Sequence, residues 1–227
     1  MRHLGILLLI TLFFGCNNSK EELDKFDVIV IGGGVVGMSA AKMAVGLGAR
    51  VTVFDKSLPR LRYLADIFGN ALTTRHANHA ALASAITTAD LVIGAVLVPG
   101  ATAPKLINLT QLSTMQAGAV LVDVAIDQGG CFETSEPTTH EKPIIIKEGI
   151  IHYAVTNMPG AVPNTSTTAL TNATLNYALE LANKGWKKAC KDNNALARGL
   201  NIINGEVVYK EVADAFSLDY VELESIL

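Results

Sequence analysis

The sequence predicts an α/β protein built on a doubly wound, mostly parallel sheet. Three observations carry that expectation. A continuous apolar run, "FDVIVIGGG", ends in glycines and passes straight into "VVGMSAAKMAVGLG", whose helical spacing and small residues read as a helix. Segments of strand and helix character then alternate as far as Asp127, the rhythm of crossover units. Finally, Gly32, Gly34 and Gly37 sit between the first strand and its helix, and an acidic residue, Asp55, closes the next strand.

The elements follow in order. The first strand runs from Phe26 into the glycines, and Gly48 is a natural stop for the helix after it. "ARVTVFD" is a β-branched second strand, and "LPRLRYLADIFG" a helix with Leu61, Leu64 and Phe68 on one face. "ALTTR" is a third strand, "HAALASAITTA" a helix and "DLVIGAVLV" a fourth strand. "LTQLSTM" is a short helix and "GAVLVDVAI" a fifth strand. Beyond Asp127 the chain turns loop-rich ("DQGGCFETSEPTTHEKP"), regains a strand at "IIHYAV", and passes through "NMPGAVPNTST" into a long helix from about Thr165 to Lys184. Leu170, Leu175, Leu179 and Leu181 make that helix too apolar for a freely solvated surface. An Asn204-Gly205 turn between "LNII" and "EVVY" predicts a hairpin, followed by a short helix.

Composition narrows the class. The 227 residues suit one large domain or one and a half, 50% of them are hydrophobic, and only 17% are charged. A net charge of −3 leaves no basic footprint, which excludes nucleic acid as a partner. Cys16, Cys131 and Cys190 share no metal-type spacing, and His76 and His79 read as a solvated pair, so no metal is expected. "MRH", the apolar "LGILLLITLFFG" and Cys16 have the outline of a secretory lipoprotein signal, although Phe13 and Phe14 are bulkier than such sites usually carry. The run falls short of the ~20 residues of a spanning helix. Two readings stand: a cytoplasmic protein with an artefactual leader, or a membrane-anchored lipoprotein through Cys16.

The glycines carry the first chemistry. In G-x-G-x-x-G the first glycine permits the tight turn, the second admits a pyrophosphate to the backbone, and the third lets helix and strand pack closely. Phosphates then meet the unpaired amides and dipole of the helix N-terminus. Asp55 can accept from ribose hydroxyls and repels a 2′-phosphate, so the pattern predicts a Rossmann-type domain that binds NAD in preference to NADP. A second site follows the fifth strand in "VDVAIDQGGCF". Asp127 either presents a carboxylate beside the nicotinamide or merely forms the turn before two glycines. Asp123, inside the strand, reads as structural. The "NMPGAVPNTST" loop is either a cofactor edge or a connection to the long helix.

"VIVIGGGVVGMSAAKMAVGLGARVTVFD", "ADLVIGAVLVPGATAPKLI", "VLVDVAIDQGGCFETSEPTTH" and "NMPGAVPNTSTTALTNATLNYALELANKGW" resemble the alanine dehydrogenase family, relatives of the transhydrogenase NAD-binding subunit. The likeness runs from about Phe26 to the C-terminus. It implies the conversion of L-alanine, water and NAD⁺ to pyruvate, ammonia and NADH, and as protein partner either further copies in a homo-oligomer or a missing N-terminal substrate half. By position, Val35 of the glycine loop (Gly32, Gly34 and Gly37), Asp55 and Arg60 resemble adenosine-side contacts, and Val96 and Leu97 residues flanking the adenine or ribose. Val124, Ala125, Ile126 and Asp127, with Val155, Thr156, Asn157 and Met158, resemble the nicotinamide-side loops. Asp127 resembles the catalytic carboxylate, a position typically not acidic in the transhydrogenase subunits.

Two departures stand out: Glu136 replaces an arginine of some members, and Ala77 a serine that commonly approaches the cofactor. The resemblance also implies a large substrate segment ahead of the dinucleotide domain, where this sequence has Met1 to Lys25. The expected division is therefore a leader over residues 1–25, an NAD-binding domain over 26–158, and the C-terminal part of the substrate domain over 159–227. The alternatives are a non-catalytic NAD-binding module or a transhydrogenase-like subunit.

Overall fold

The structure, a computed structural model, describes residues 25–98 and 102–227. The signal-like leader with Cys16 lies outside the described residues. The first strand, β1 (Asp27–Ile31), is buried on both faces. Val28 and Val30 join Ala41, Val51, Val53, Leu64 and Leu72 in one layer, while Ile29 and Ile31 join Phe54, Leu82, Ile86, Val92 and Leu121 in the other. A strand covered on both sides needs apolar residues at every position, which explains the continuous rather than alternating run.

Helix α1 (Val35–Gly46) turns Gly37 and Ala41 toward the sheet, and only such small residues let its axis come this close. β2 (Arg50–Asp55) follows, then α2 (Leu58–Phe68), started by the Ser57 hydroxyl accepting from the Arg60 amide and burying Leu61 and Leu64. β3 (Leu72–His76) leads to α3 (His79–Ile86), capped by Asn78, and to β4 (Leu91–Gly94). The short α4 (Leu109–Leu112) has a reciprocal capping box between Asn108 and Gln111, and β5 (Val120–Asp123) follows. β6 (Ile144–Lys147) and β7 (Ile150–Tyr153) form an antiparallel hairpin.

The seven-stranded sheet has the order β3-β2-β1-β4-β5-β7-β6, parallel except at β6. The chain winds outward from β1 to β3, then returns to β4 beside β1 and winds the other way. That reversal opens a crevice beyond the carboxyl ends of β1 and β4. An apolar cleft of about 1070 Å³ lies at the opposite edge, lined by Phe26, Leu47, Ala49, Leu91 and Ala119 among others.

Beyond the sheet come α5 (Pro163–Lys184), α6 (Trp186–Asp192), α7 (Asn194–Ala197), the two-stranded hairpin β8 (Ile202–Ile203) and β9 (Glu206–Val207), and α8 (Lys210–Phe216). The Asn204-Gly205 hairpin is as expected, with both turn residues at positive φ. α5 buries none of its residues and leaves Leu170, Leu175 and Leu179 at least half exposed, at 64%, 55% and 50%. No helix among the described residues is long and apolar enough to cross a membrane.

Several elements differ from the sequence reading: the fourth strand ends at Gly94 rather than Val98, and α6 and α7 were not anticipated. The fifth strand stops at Asp123 rather than running to Ile126, because the Asp123 side chain draws in the amides of the following loop and turns the chain. The β6 strand was not anticipated. Its hairpin turns through Glu148 and Gly149, at φ 51° and 76°, and glutamate at the first of these positions does not signal such a turn.

Candidate functional site

The parallel register brings every expected site loop to one edge. Ile31 pairs with Phe54 and with Gly94, and Gly94 pairs with Asp123, so the loops after β1, β2, β4 and β5 leave the sheet side by side. Gly32 takes φ +100°, and a Cβ there would stand 2.6 Å from the Ala95 carbonyl oxygen. Gly37 is tighter still, its Cβ position lying 1.8 Å from the Gly32 oxygen. A Cβ on Gly34 would meet no protein atom within 4 Å, so Gly34 faces open space at the start of α1. That is the surface an anion needs to reach the first amides of the helix.

Asp55 stands between this loop and α2. One carboxylate oxygen accepts from the Gly33 amide at 2.7 Å and the other from the Ser57 amide at 2.8 Å. The Arg60 guanidinium donates to the Gly33 carbonyl and lies over the Tyr63 ring. Gly33, which sequence reasoning passed over, is therefore the hinge between the glycine loop and both charged residues. Ala77 donates its amide to the Asp55 carbonyl at 2.9 Å. Val35 and Leu97 are exposed apolar side chains flanking the crevice, whereas Val96 is half-buried against the Gly32 turn.

The second half of the edge is the loop after β5. Val124 donates to the Gly94 carbonyl at 2.9 Å, and Ala125 and Ile126 are buried, so the latter two offer the crevice backbone rather than side chains. Asp127 lies in a short 3-10 helix, Ile126–Gln128, and is exposed. The amides of Gln128, Gly129 and Gly130 go to backbone carbonyls of Ala125 and Ile126, so the turn is closed without the Asp127 carboxylate. Both of its oxygens face the amide of Asn157 at 3.4 Å. Asn157, at φ 52°, also offers its carbonyl to His140 Nε2 at 3.2 Å. Val155 is buried, Thr156 is exposed and Met158 is half-buried. The two loops expected on the nicotinamide side thus meet.

Asp123 is used quite differently from Asp127. It is 1% exposed and takes the amides of Ala125, Cys131 and Phe132 at 3.2, 2.9 and 3.2 Å. The Cys131 thiol also points at it, and burial, then the Asp123 charge, push that thiol well up from its usual range. Glu136 pairs with Lys147 at 2.5 Å, and that lysine holds its carboxyl below the usual range. Lys105, which no motif singles out, spans the carbonyl side of the same loop. Among the described residues no group of three or more His, Cys, Asp or Glu could hold a metal ion.

His152, buried on β7, fixes the loop from beneath. Its Nδ1 faces the Ile150 carbonyl at 3.1 Å and so carries the proton; Nε2 then accepts from the Thr134 hydroxyl at 2.8 Å. Burial lowers its pKa below the ordinary value. An unfolded chain would take up a proton below pH ~6.5 while the folded one does not, so stability falls as pH drops through that window and levels off above it. Urea unfolding between about pH 7.5 and pH 5 is expected to show this loss, and His152→Gln to flatten it. An acid slope unchanged in the variant would remove His152 as its source.

With this geometry in place, comparison with known proteins is informative. The family model "Alanine dehydrogenase/PNT, C-terminal domain" matches residues 19–210. The chain belongs to this family. It is 58% identical over 200 residues to the alanine dehydrogenase of Halomonas elongata, covering 88% of this chain and 54% of that protein. It is 55% identical over 201 residues to the alanine dehydrogenase of Bacillus subtilis, covering 88% and 53%. A solved L-alanine dehydrogenase matches with a TM-score of 0.76 at 49% identity, over 85% of this chain and 53% of that one. A transhydrogenase from Sinorhizobium meliloti matches with a TM-score of 0.54 at 28% identity, over 60% of this chain and 39% of that one. The chain spans about half the length of the alanine dehydrogenases it matches.

Proposed function

We propose that this chain is the NAD-binding part of an alanine dehydrogenase, with residues 26–158 holding the dinucleotide and 159–227 contributing to the substrate domain. The observation that carries this reading is an exposed carboxylate whose hydrogen bonds among the described residues come only from the Asn157 amide, at 3.4 Å. Asp127 closes no turn, stands exposed beside Asn157, and shares the crevice edge with the glycine loop. Gly32, Gly34 and Gly37 would hold the pyrophosphate of NAD, with Val35, Asp55 and Arg60 on its adenosine side and Val96 and Leu97 flanking the adenine or ribose. Val124 to Asp127 and Val155 to Met158 would hold its nicotinamide end. When bound, NAD supplies the hydride acceptor. Asp127 supplies a fixed base that takes a proton from water as it adds to the imino carbon of oxidised alanine, and returns it as ammonia leaves.

Orienting alanine's carboxylate and amine needs the substrate segment that this family carries in its remaining length. L-alanine and pyruvate are therefore the small-molecule partners of the assembled enzyme, which we take to be a homo-oligomer. The NAD pool that such a reaction draws on is cytoplasmic, and that is the compartment we assign.

The test is cofactor choice. An anion beside the ribose hydroxyls repels a 2′-phosphate, so the unmutated chain is expected to bind NADH at least about tenfold more tightly than NADPH in calorimetric titration. Asp55→Ala removes the repulsion and leaves Arg60 nearby, so it should narrow that ratio mainly by improving NADPH binding. Equal affinity for the two cofactors before mutation would sink the assignment of Asp55.

A further inference from the structure

We propose that Lys105 is a positioning residue: its ammonium holds the Asp127 loop in the shape from which that loop meets the nicotinamide end of the cofactor. The proposal rests on the nucleotide reading above. Lys105 Nζ donates to the carbonyls of Gly129, Gly130 and Phe132 at 2.5, 2.8 and 3.2 Å. An ammonium has three N–H donors, and here each has an acceptor.

The convergence of these carbonyls has a local cause. Gly129 and Gly130 both take positive φ, 86° and 73°, which turns their carbonyls toward one point. Three converging dipoles repel one another unless a cation sits among them. On the opposite side of the loop, the buried Asp123 carboxylate collects the amides of Ala125, Cys131 and Phe132. The loop is thus gripped between an anion on its amide side and a cation on its carbonyl side.

Lys105 reaches those carbonyls because the backbone around it is already paired with the flanks of the same loop, which leaves the two glycines between the paired positions for the side chain to hold. The segment that carries it runs alongside the loop: Ala103 donates to the Gln128 carbonyl at 2.9 Å, Leu106 to the Cys131 carbonyl at 2.7 Å, and Ile107 forms a parallel bridge with Phe132. Asp127 sits immediately before the clamped glycines. With the ammonium gone, Gly129 and Gly130 lose their only side-chain hydrogen bonds in the described structure, and the turn that carries Asp127 is left to its backbone bonds alone. The adenosine end is held by other elements, β1, β2 and α1, so the two ends of the cofactor respond differently.

That difference provides the test. Lys105→Met and Lys105→Arg are compared with the unmutated 227-residue chain in calorimetric titrations with NADH and with ADP, alongside amide hydrogen exchange across the loop. Lys105→Met is expected to weaken NADH binding about tenfold while leaving ADP binding unchanged, and to speed exchange at Gly129 to Phe132. Lys105→Arg keeps the charge and should recover most of the NADH affinity. Unchanged NADH affinity and unchanged exchange in Lys105→Met would overturn the proposal, as would equal losses for NADH and ADP. If the unmutated chain bound neither ligand, the nucleotide reading would fail on its own, and the exchange measurement would still decide whether Lys105 restrains the loop.

Discussion

Asp127→Asn, made in an alanine dehydrogenase that carries this segment in full-length context, is expected to lower kcat by about 10²-fold to 10⁴-fold while changing NADH affinity by less than about threefold. Asparagine keeps the shape of the side chain and removes its basicity. The turn itself should survive, because the amides of Gln128, Gly129 and Gly130 are satisfied by backbone carbonyls and not by the carboxylate. Loss of turnover with intact folding and binding is therefore the signature of a base. The measurement is alanine-dependent NADH formation at saturating substrate, beside a direct NADH titration. Turnover preserved within a few-fold would return Asp127 to the role of a turn former.

Gly37→Ala is expected to destabilise the fold by about 3 kcal/mol, the upper end of ordinary overpacking costs, and to abolish NADH binding. A methyl group there has no flexible neighbour to push aside. It would lie 1.8 Å from the Gly32 oxygen and 3.0 Å from the Gly32 carbonyl carbon, both backbone atoms of the glycine turn. Either α1 lifts away from β1 or the turn deforms, and each alternative removes the amides that would receive the phosphates. Gly34→Ala makes the informative contrast. Its φ of −61° suits alanine and its Cβ meets no protein atom within 4 Å, so the fold should lose no more than about 1 kcal/mol. NADH binding should still fall, because the new methyl fills the space left for the pyrophosphate. Urea unfolding and NADH titration of both variants check the pair. Parallel losses of stability in the two would mean that Gly34 faces protein and not a ligand.

Much of the architecture was legible because its causes are local. A run such as "DVIVI" declares a strand covered on both faces, and the spacing of Gly32, Gly34 and Gly37 follows from the geometry of one turn and one helix start. Asp55 was readable for the same reason: it closes the strand next to β1, so sequence distance alone put it beside the glycines. The β6 strand was not, since its hairpin depends on pairing with β7 and turns through a glutamate. The long helix was legible in extent but not in surroundings. That α5 buries none of its residues is a fact about what packs on it, and no periodicity within the helix contains that.

The sequence by itself determined the alternating layers and the dinucleotide edge, because backbone propensity and close packing act over a few residues. For the two aspartates of "VDVAID" the sequence offered a reading, Asp123 structural and Asp127 at the site, and only the tertiary structure supplied its physical reason. Asp123 and Asp127 are similar in chemistry and nearly adjacent in the chain. One is consumed by amides that return to it from Cys131 and Phe132; the other is left exposed opposite Asn157, thirty residues on. The loop after β5 folds back on Asp123 and uses its carboxylate up, whereas Asp127 meets only the Asn157 amide from the loop after β7. That second meeting exists only once the loops after β5 and β7 have been brought together by the sheet.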